Sequence, residues 1–211
     1  MKITDNIEIT NEDNMLLMAR YPDNYFDLAI VDPPYGLERL QKGSLRLGGV
    51  KGNYKEKLEW DKKPTEEYFN ELFRVSKNQI VWGANNFIMP TSEYFCIWNK
   101  KQTVDNFATA EYAWVSMGLK KPAKMFDYSI HKHNHMDKIH PTEKPIQLYK
   151  WLLDNYAKEN DKILDTHLGS GSIAIATHDY NFELTACELD KEYYDKAIKR
   201  IKNHVAQQKL F

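Results

Sequence analysis

Leu28-Ala29-Ile30-Val31-Asp32-Pro33-Pro34-Tyr35 is an apolar run that stops at an acid, two prolines and an aromatic ring. The first four residues read as a buried parallel strand, apolar toward both faces of a sheet. Two consecutive prolines restrict the backbone that follows. In open α/β sheets ligands bind at the carboxyl ends of strands, which is where Asp32 and Tyr35 fall. The tetrapeptide is suited to holding a flat ring that carries an amino group.

Strand and helix signals alternate on both sides of this run and predict an α/β fold with a largely parallel sheet. Ile3–Thr10 reads as a strand, and Asp13 can cap a helix through Leu16, Leu17 and Ala19. Phe26–Val31 is the strand that ends at the tetrapeptide. Thr65–Val75 is helical, with an apolar face of Tyr68, Phe69, Leu72, Phe73 and Val75. Gln79–Trp82 is a strand ending in Gly83-Ala84-Asn85. Tyr94–Trp98 and Glu111–Met117 form a hairpin-like pair, and Pro145–Tyr156 is a helix with Pro145 in its first turn. Lys162–Asp165 and Glu183–Leu189 are strands with a helix from Ser172 between them. The last helix carries Tyr193, Ala197, Ile201 and Val205 on one face. Residues 118–140 have no clear period and hold four of the seven histidines.

With 211 residues the chain suffices for one sizeable domain. A mean hydropathy of −0.66 and the lack of a long apolar run predict no membrane span, and the first residues lack a signal-peptide layout. Cys96 and Cys187 have no metal-ligand spacing and read as buried, reduced thiols of a cytoplasmic protein. The net charge of −1 argues against a protein that coats nucleic acid. Residues 36–63, however, hold eight basic and four acidic side chains and are rich in glycine. They read as a mobile basic loop suited to phosphate contacts, or as an ordinary solvated loop.

A second ligand-binding pattern lies far down the chain. Asp165-Thr166-His167-Leu168-Gly169-Ser170-Gly171-Ser172 joins a strand to a helix, and its glycines let a ligand approach the backbone. Glu188 ends the next strand, 19 residues beyond Gly169, where an acid commonly accepts hydrogen bonds from ribose hydroxyls. Alone this indicates a nucleoside cofactor. It is a poor dinucleotide fingerprint, because Ala174 stands where a third glycine would be.

Taken together, Asp32-Pro33-Pro34-Tyr35, His140-Pro141-Thr142-Glu143-Lys144-Pro145, the Asp165–Ser172 loop and Glu188 resemble the DNA amino-methyltransferases that use S-adenosylmethionine. Gly83-Ala84-Asn85, Trp98-Asn99-Lys100 and Glu111-Tyr112-Ala113-Trp114 are similar to further pieces of that family. The order, catalytic tetrapeptide first and cofactor loop last, is that of the β class. The resemblance covers roughly residues 1–205. It implies a circularly permuted Rossmann-like sheet, mostly parallel with an antiparallel hairpin strand, in a single methyltransferase domain over 1–211. Residues 118–140 would then be a candidate target-recognition segment. The chain departs from the family at Thr166 and His167, where Pro and Phe are usual, at Glu143 in place of Gln, and at Asn99 in place of Asp.

The chemistry gives the tetrapeptide its roles. An adenine N6 lone pair is delocalised into the ring and must be redirected toward the methyl donor. The Asp32 carboxylate and the Pro33 carbonyl can accept the two amino protons, Pro34 supplies rigidity, and Tyr35 offers a face for a flipped-out base. The resemblance further implies that Lys144 and Thr142 meet the cofactor's methionine carboxylate. Asp165 and the amides of Gly169, Ser170, Gly171 and Ser172 would hold its amino-acid part, Glu188 its ribose, and Asp13 would lie near its adenine. Asn85 would line the target-base pocket. A helix cap at Asp13 and a turn at Asn85 are equal alternatives.

The resemblance favours a site-specific enzyme acting on the N6 of adenine. N4-cytosine methylation, RNA adenine methylation and a catalytically inactive nucleic-acid-binding module remain open. His131, His133 and His135 would share one face of a strand, but no cysteine joins them and methyl transfer needs no metal, so none is expected. The expected partner is double-stranded DNA. Gln207–Phe211 resembles the short peptide that docks on bacterial sliding clamps, with a packed helix end as the alternative, and a homodimer is admitted.

Overall fold

The computed structural model describes residues 1–36, 62–105, 108–133, 139–140 and 142–207, without the side chain of residue 133. Most of the basic loop, Pro141, His135 and the last four residues of the clamp-like tail lie outside the described residues. Among the described residues eight strands form one sheet: β1 Ile7–Thr10, β2 Phe26–Val31, β3 Ser76–Trp82, β4 Phe95–Asn99, β5 Ala110–Val115, β6 Lys124–Asp127, β7 Lys162–Asp165 and β8 Glu183–Cys187. Their spatial order is β1-β8-β7-β2-β3-β5-β4-β6, and only β5 runs antiparallel to its neighbours.

The described helices are α1 Asn14–Met18, α2 Glu66–Val75, α3 Ile130–His133, α4 Ile146–Tyr156, α5 Ser172–Asp179 and α6 Lys191–Ala206. Side chains alternate across a strand, so the apolar run of β2 feeds two cores. Leu28 and Ile30 join the core under α4, α5 and α6, while Ala29 and Val31 join the core under α1 and α2. Ile163 and Leu164 of β7 divide in the same way. Burial on both faces is what makes these strands continuous apolar runs.

β2 pairs in parallel with β7 on one side and with β3 on the other. From β2 the chain passes through α2 to β3, and from β7 through α5 to β8, in opposite directions along the sheet. A crevice opens where such connections diverge, at the carboxyl ends of the two strands. Asp32 follows the last residue of β2, and Asp165 is the last residue of β7.

Several elements differ from the expectation. β1 is shorter, because Ile3 turns back to donate to the Ile7 carbonyl at 2.8 Å. Pro145 sits at the N-cap of α4 with ψ 144°, one step before the first turn. β6 is an additional edge strand, parallel to β4, and its inward Phe126 packs 5.4 Å from Trp151. His131 and His133 sit on the helical turn α3 and not on a strand. Among the described residues no helix is long and apolar enough to cross a membrane.

Gly171 precedes α5 at φ 77°, and a Cβ there would stand 2.8 Å from Ile201 Cδ1 of α6. Gly171→Ala should therefore lower stability by about 1–3 kcal/mol from backbone strain, before any clash is counted. Urea unfolding measures it, and an unchanged midpoint would contradict the backbone strain expected at this φ.

Candidate active site

The crevice holds a cavity of about 340 Å³, within the range of roughly 300–1,000 Å³ usual for small-molecule sites. Its wall includes Asp13, Asp32, Pro33, Pro34, Tyr35, Thr142, Lys144, Gly169, Ser170 and Glu188. Residues separated by more than 150 positions thus meet around one space. Asp165, Gly171 and Ser172 stand behind this wall, and Asn85 is exposed on the turn Ala84–Asn86, away from it.

At one end, Asp32 is held by two donors. Tyr35 donates its hydroxyl to Oδ1 at 2.7 Å, and the Lys144 ammonium donates to Oδ2. The Tyr35 ring lies over Gly83, whose φ is 65°; a Cβ there would overlap the ring. Phe87 meets Tyr35 edge-on at 6.2 Å between centroids. Gly83, and not Asn85, is therefore the residue of that turn that shapes the tetrapeptide.

Lys144 is only 4% exposed. Besides Asp32 it faces Glu111 Oε2 at 3.0 Å, and Glu111 Oε1 pairs with Lys100 at 2.5 Å. Acid and base alternate along this row, which is how four charges can share a half-buried space. Burial would lower the Lys144 affinity for its proton, but Asp32 and Glu111 outweigh it and hold the ammonium well above its usual range. Burial would raise the Glu111 carboxyl, yet Lys144 and Lys100 bring it down to about 2.

At the other end, Glu188 is pinned by backbone. Its Oε2 accepts from Gly169 N at 2.8 Å and its Oε1 from Asp190 N at 2.9 Å. Burial raises its carboxyl. Asp13 caps α1 by accepting from Met15 N at 2.8 Å and also lines the cavity, so the two readings of this residue are compatible. Thr166 and His167 form a polar chain: Thr166 Oγ1 meets Tyr68 OH at 2.7 Å and His167 Nδ1 at 2.9 Å, and His167 Nε2 meets Asn14 Nδ2 at 3.1 Å. Burial lowers the His167 ring to about 3 and keeps it neutral.

Sequence reasoning missed the brace behind the glycine loop. Arg200 of α6 donates to the Ser170 carbonyl at 2.9 Å and to Ser172 Oγ at 3.1 Å, and lies 3.3 Å from Glu143. A carboxylate at 143 thus has a guanidinium partner. Only the basic character of α6 hinted at this. Tyr149, His140, His167, Leu189 and Tyr193 also line the cavity without having been singled out for it.

A family model described as DNA methylase, of the N6/N4 type, matches residues 49–199. The chain belongs to this family of DNA amino-methyltransferases, enzymes that modify adenine N6 or cytosine N4. Its cofactor is S-adenosylmethionine and its substrate is DNA. Among curated relatives, the type II methyltransferase M.BglII of Bacillus subtilis is 22% identical, over 90% of this chain and 67% of its own length. M2.MboI of Moraxella bovis is 25% identical over 90% and 88%. Among solved structures, M1.HpyAVI in complex with its cofactor superposes with a TM-score of 0.60 at 17% identity, covering 92% of this chain and 98% of that one. The cytosine-N4-specific PvuII methyltransferase superposes at 0.63 and 13%, covering 96% and 93%. These likenesses establish the permuted, mostly parallel methyltransferase sheet. The cavity fits the cofactor's chemistry: pinned backbone and a buried acid at one end, a buried ammonium at the other.

Asp165 is 2% exposed, and its carboxylate accepts from His167 N at 3.0 Å. Burial, aided by Asp32 and Glu188, raises it from 3.8 to about 8. The folded state therefore binds this proton more tightly than the unfolded chain, so this group costs stability progressively as pH rises from about 4 to 8. Asp165→Asn should flatten that part of the stability profile. Thermal unfolding across the range tests it, and an unchanged slope would contradict the burial argument.

Proposed function

We propose that this chain transfers a methyl group from S-adenosylmethionine to the exocyclic N6 of adenine in a base flipped out of double-stranded DNA. The observation that carries the reading is that Asp32 and the Gly169 loop border one cavity at the crevice between β2 and β7. In the family, Asp at the first position of the tetrapeptide favours adenine, and Asp32 occupies it. A cytoplasmic location agrees with this substrate.

When bound, the cofactor supplies a methyl group activated on a sulfonium. Lys144 and Thr142 would hold its carboxylate, Gly169 and Ser170 of the cavity wall its amino-acid part with Asp165, Gly171 and Ser172 supporting that loop from behind, Glu188 its ribose, and Asp13 would border its adenine. Asp32 and the Pro33 carbonyl accept the amino protons of the target and so direct the lone pair out of ring conjugation. Tyr35 presents its ring to the flipped base, worth roughly 1–3 kcal/mol. Asp32 is the acceptor for the proton that the methylated nitrogen sheds. Holding nitrogen and methyl in line should supply much of the rate.

Duplex DNA incubated with methyl-labelled cofactor and digested to nucleosides should yield labelled N6-methyladenine. Label in N4-methylcytosine would move the assignment to cytosine, and absence of label with folded protein would end the enzymatic reading. Asp32→Asn should slow transfer by about 10²–10⁴-fold, while cofactor affinity in calorimetry stays close to native. Loss of both would place Asp32 in structural support.

A further inference from the structure

Both oxygens of Asp32 already have protein donors, Tyr35 OH on Oδ1 and the Lys144 ammonium on Oδ2. A target amino group that is to use this carboxylate competes with them. The ammonium is the stronger competitor, because hydrogen bonds between ionised partners are roughly twice as strong as neutral ones. It is also enclosed, with its side chain only 3% exposed, so leaving Asp32 for an apolar surrounding would strand a buried charge.

Glu111 removes that obstacle. Its Oε2 lies 3.0 Å from Lys144 Nζ, and its Oε1 is anchored by Lys100 at 2.5 Å. Glu111 comes from β5, the antiparallel strand, so it is fixed independently of the loop that carries Lys144. We infer that Glu111 is the positioning residue that makes Asp32 available to the target base, by giving the Lys144 ammonium a second carboxylate on which to rest when it releases the first. Lys100 balances Glu111 from outside and keeps it from drawing Lys144 away before the base arrives. This rests on the amino-methylating reading above and adds a residue that touches neither base nor cofactor.

Glu111→Gln keeps the shape and a carbonyl acceptor but removes the charge. With saturating cofactor and a duplex that the native protein labels, its single-turnover rate should fall ~10-fold or more, the scale of one charged hydrogen bond. Its calorimetric affinity for S-adenosylmethionine should not fall, since the Lys144 ammonium is kept, while its unfolding temperature drops because two ammonium groups lose their shared carboxylate. Glu111→Asp, which restores the charge, should recover most of the lost rate. A native rate in Glu111→Gln overturns the inference. So does a loss of rate matched by an equal loss of cofactor affinity, and so does failure of Glu111→Asp to recover any rate. If the native protein itself labels no DNA, the methyltransferase reading falls and this inference with it; a labelling native protein with an indifferent Glu111→Gln removes only the inference.

Discussion

The lateral pairing of β2 with β7 is the constraint on which the site depends. Their ladder is short, Leu28 to Ile163 and Ala29 to Leu164, yet it sets Asp32 and Asp165 at the same edge of the sheet. The connections leave this pair in opposite directions, so among the described residues no helix crosses the gap above it. The cavity is a result of topology, and its chemistry follows from which side chains the two strand ends carry. Apolar burial on both faces holds the pair in register, because a one-residue slip would exchange the two cores.

Around that gap, each end solves an electrostatic problem. At the Glu188 end, carboxyl groups are buried with backbone amides as partners, and burial keeps their proton affinities high. At the Asp32 end, Asp32, Lys144, Glu111 and Lys100 alternate in sign, and the two ammonium groups hold the buried Glu111 carboxyl low. The Lys144 ammonium donates to one oxygen of Asp32 and so orients the acid that the amino group has to meet. The same ammonium occupies the acid, so the arrangement that prepares Asp32 also restrains it.

Much of this was legible in the sequence where the signal is local. β2 and β7 match the bounds read from their apolar runs, Asp13 caps α1, and the hairpin-like pair is β4 and β5. β6 escaped notice because Lys124-Met125-Phe126-Asp127 is a four-residue edge with half its side chains in solvent, which leaves no run to see. The site residues that escaped are those whose meaning lies in a distant partner. Glu111 is one acid among many until Lys144 stands beside it, and Arg200 is one more base on a polar helix until the Ser170 carbonyl meets it. His167 differs from the family's usual residue, and only the hydrogen bonds to Asn14 and Thr166 explain how a polar ring sits there.

The pairing of β1 with β8 has a consequence for the order of assembly. Across the sheet Ile7 to Thr10 pair with Leu184 to Cys187, so a strand near the start of this sequence is seated only once one near its other end has been made. Until then the edge that faces β8 is unpaired, while Ile7 and Ile9 already donate to the Thr4 and Met1 carbonyls on the other edge, and Asn11, three residues short of α1, cannot yet donate to the Glu188 and Leu189 carbonyls. Contacts so distant along the chain carry a large loop-closure cost and form late in folding. The nucleotide end of the cavity, bordered by Asp13 and Glu188, is thus completed by the same event that joins these two distant strands, and before it the tetrapeptide has no binding site beside it.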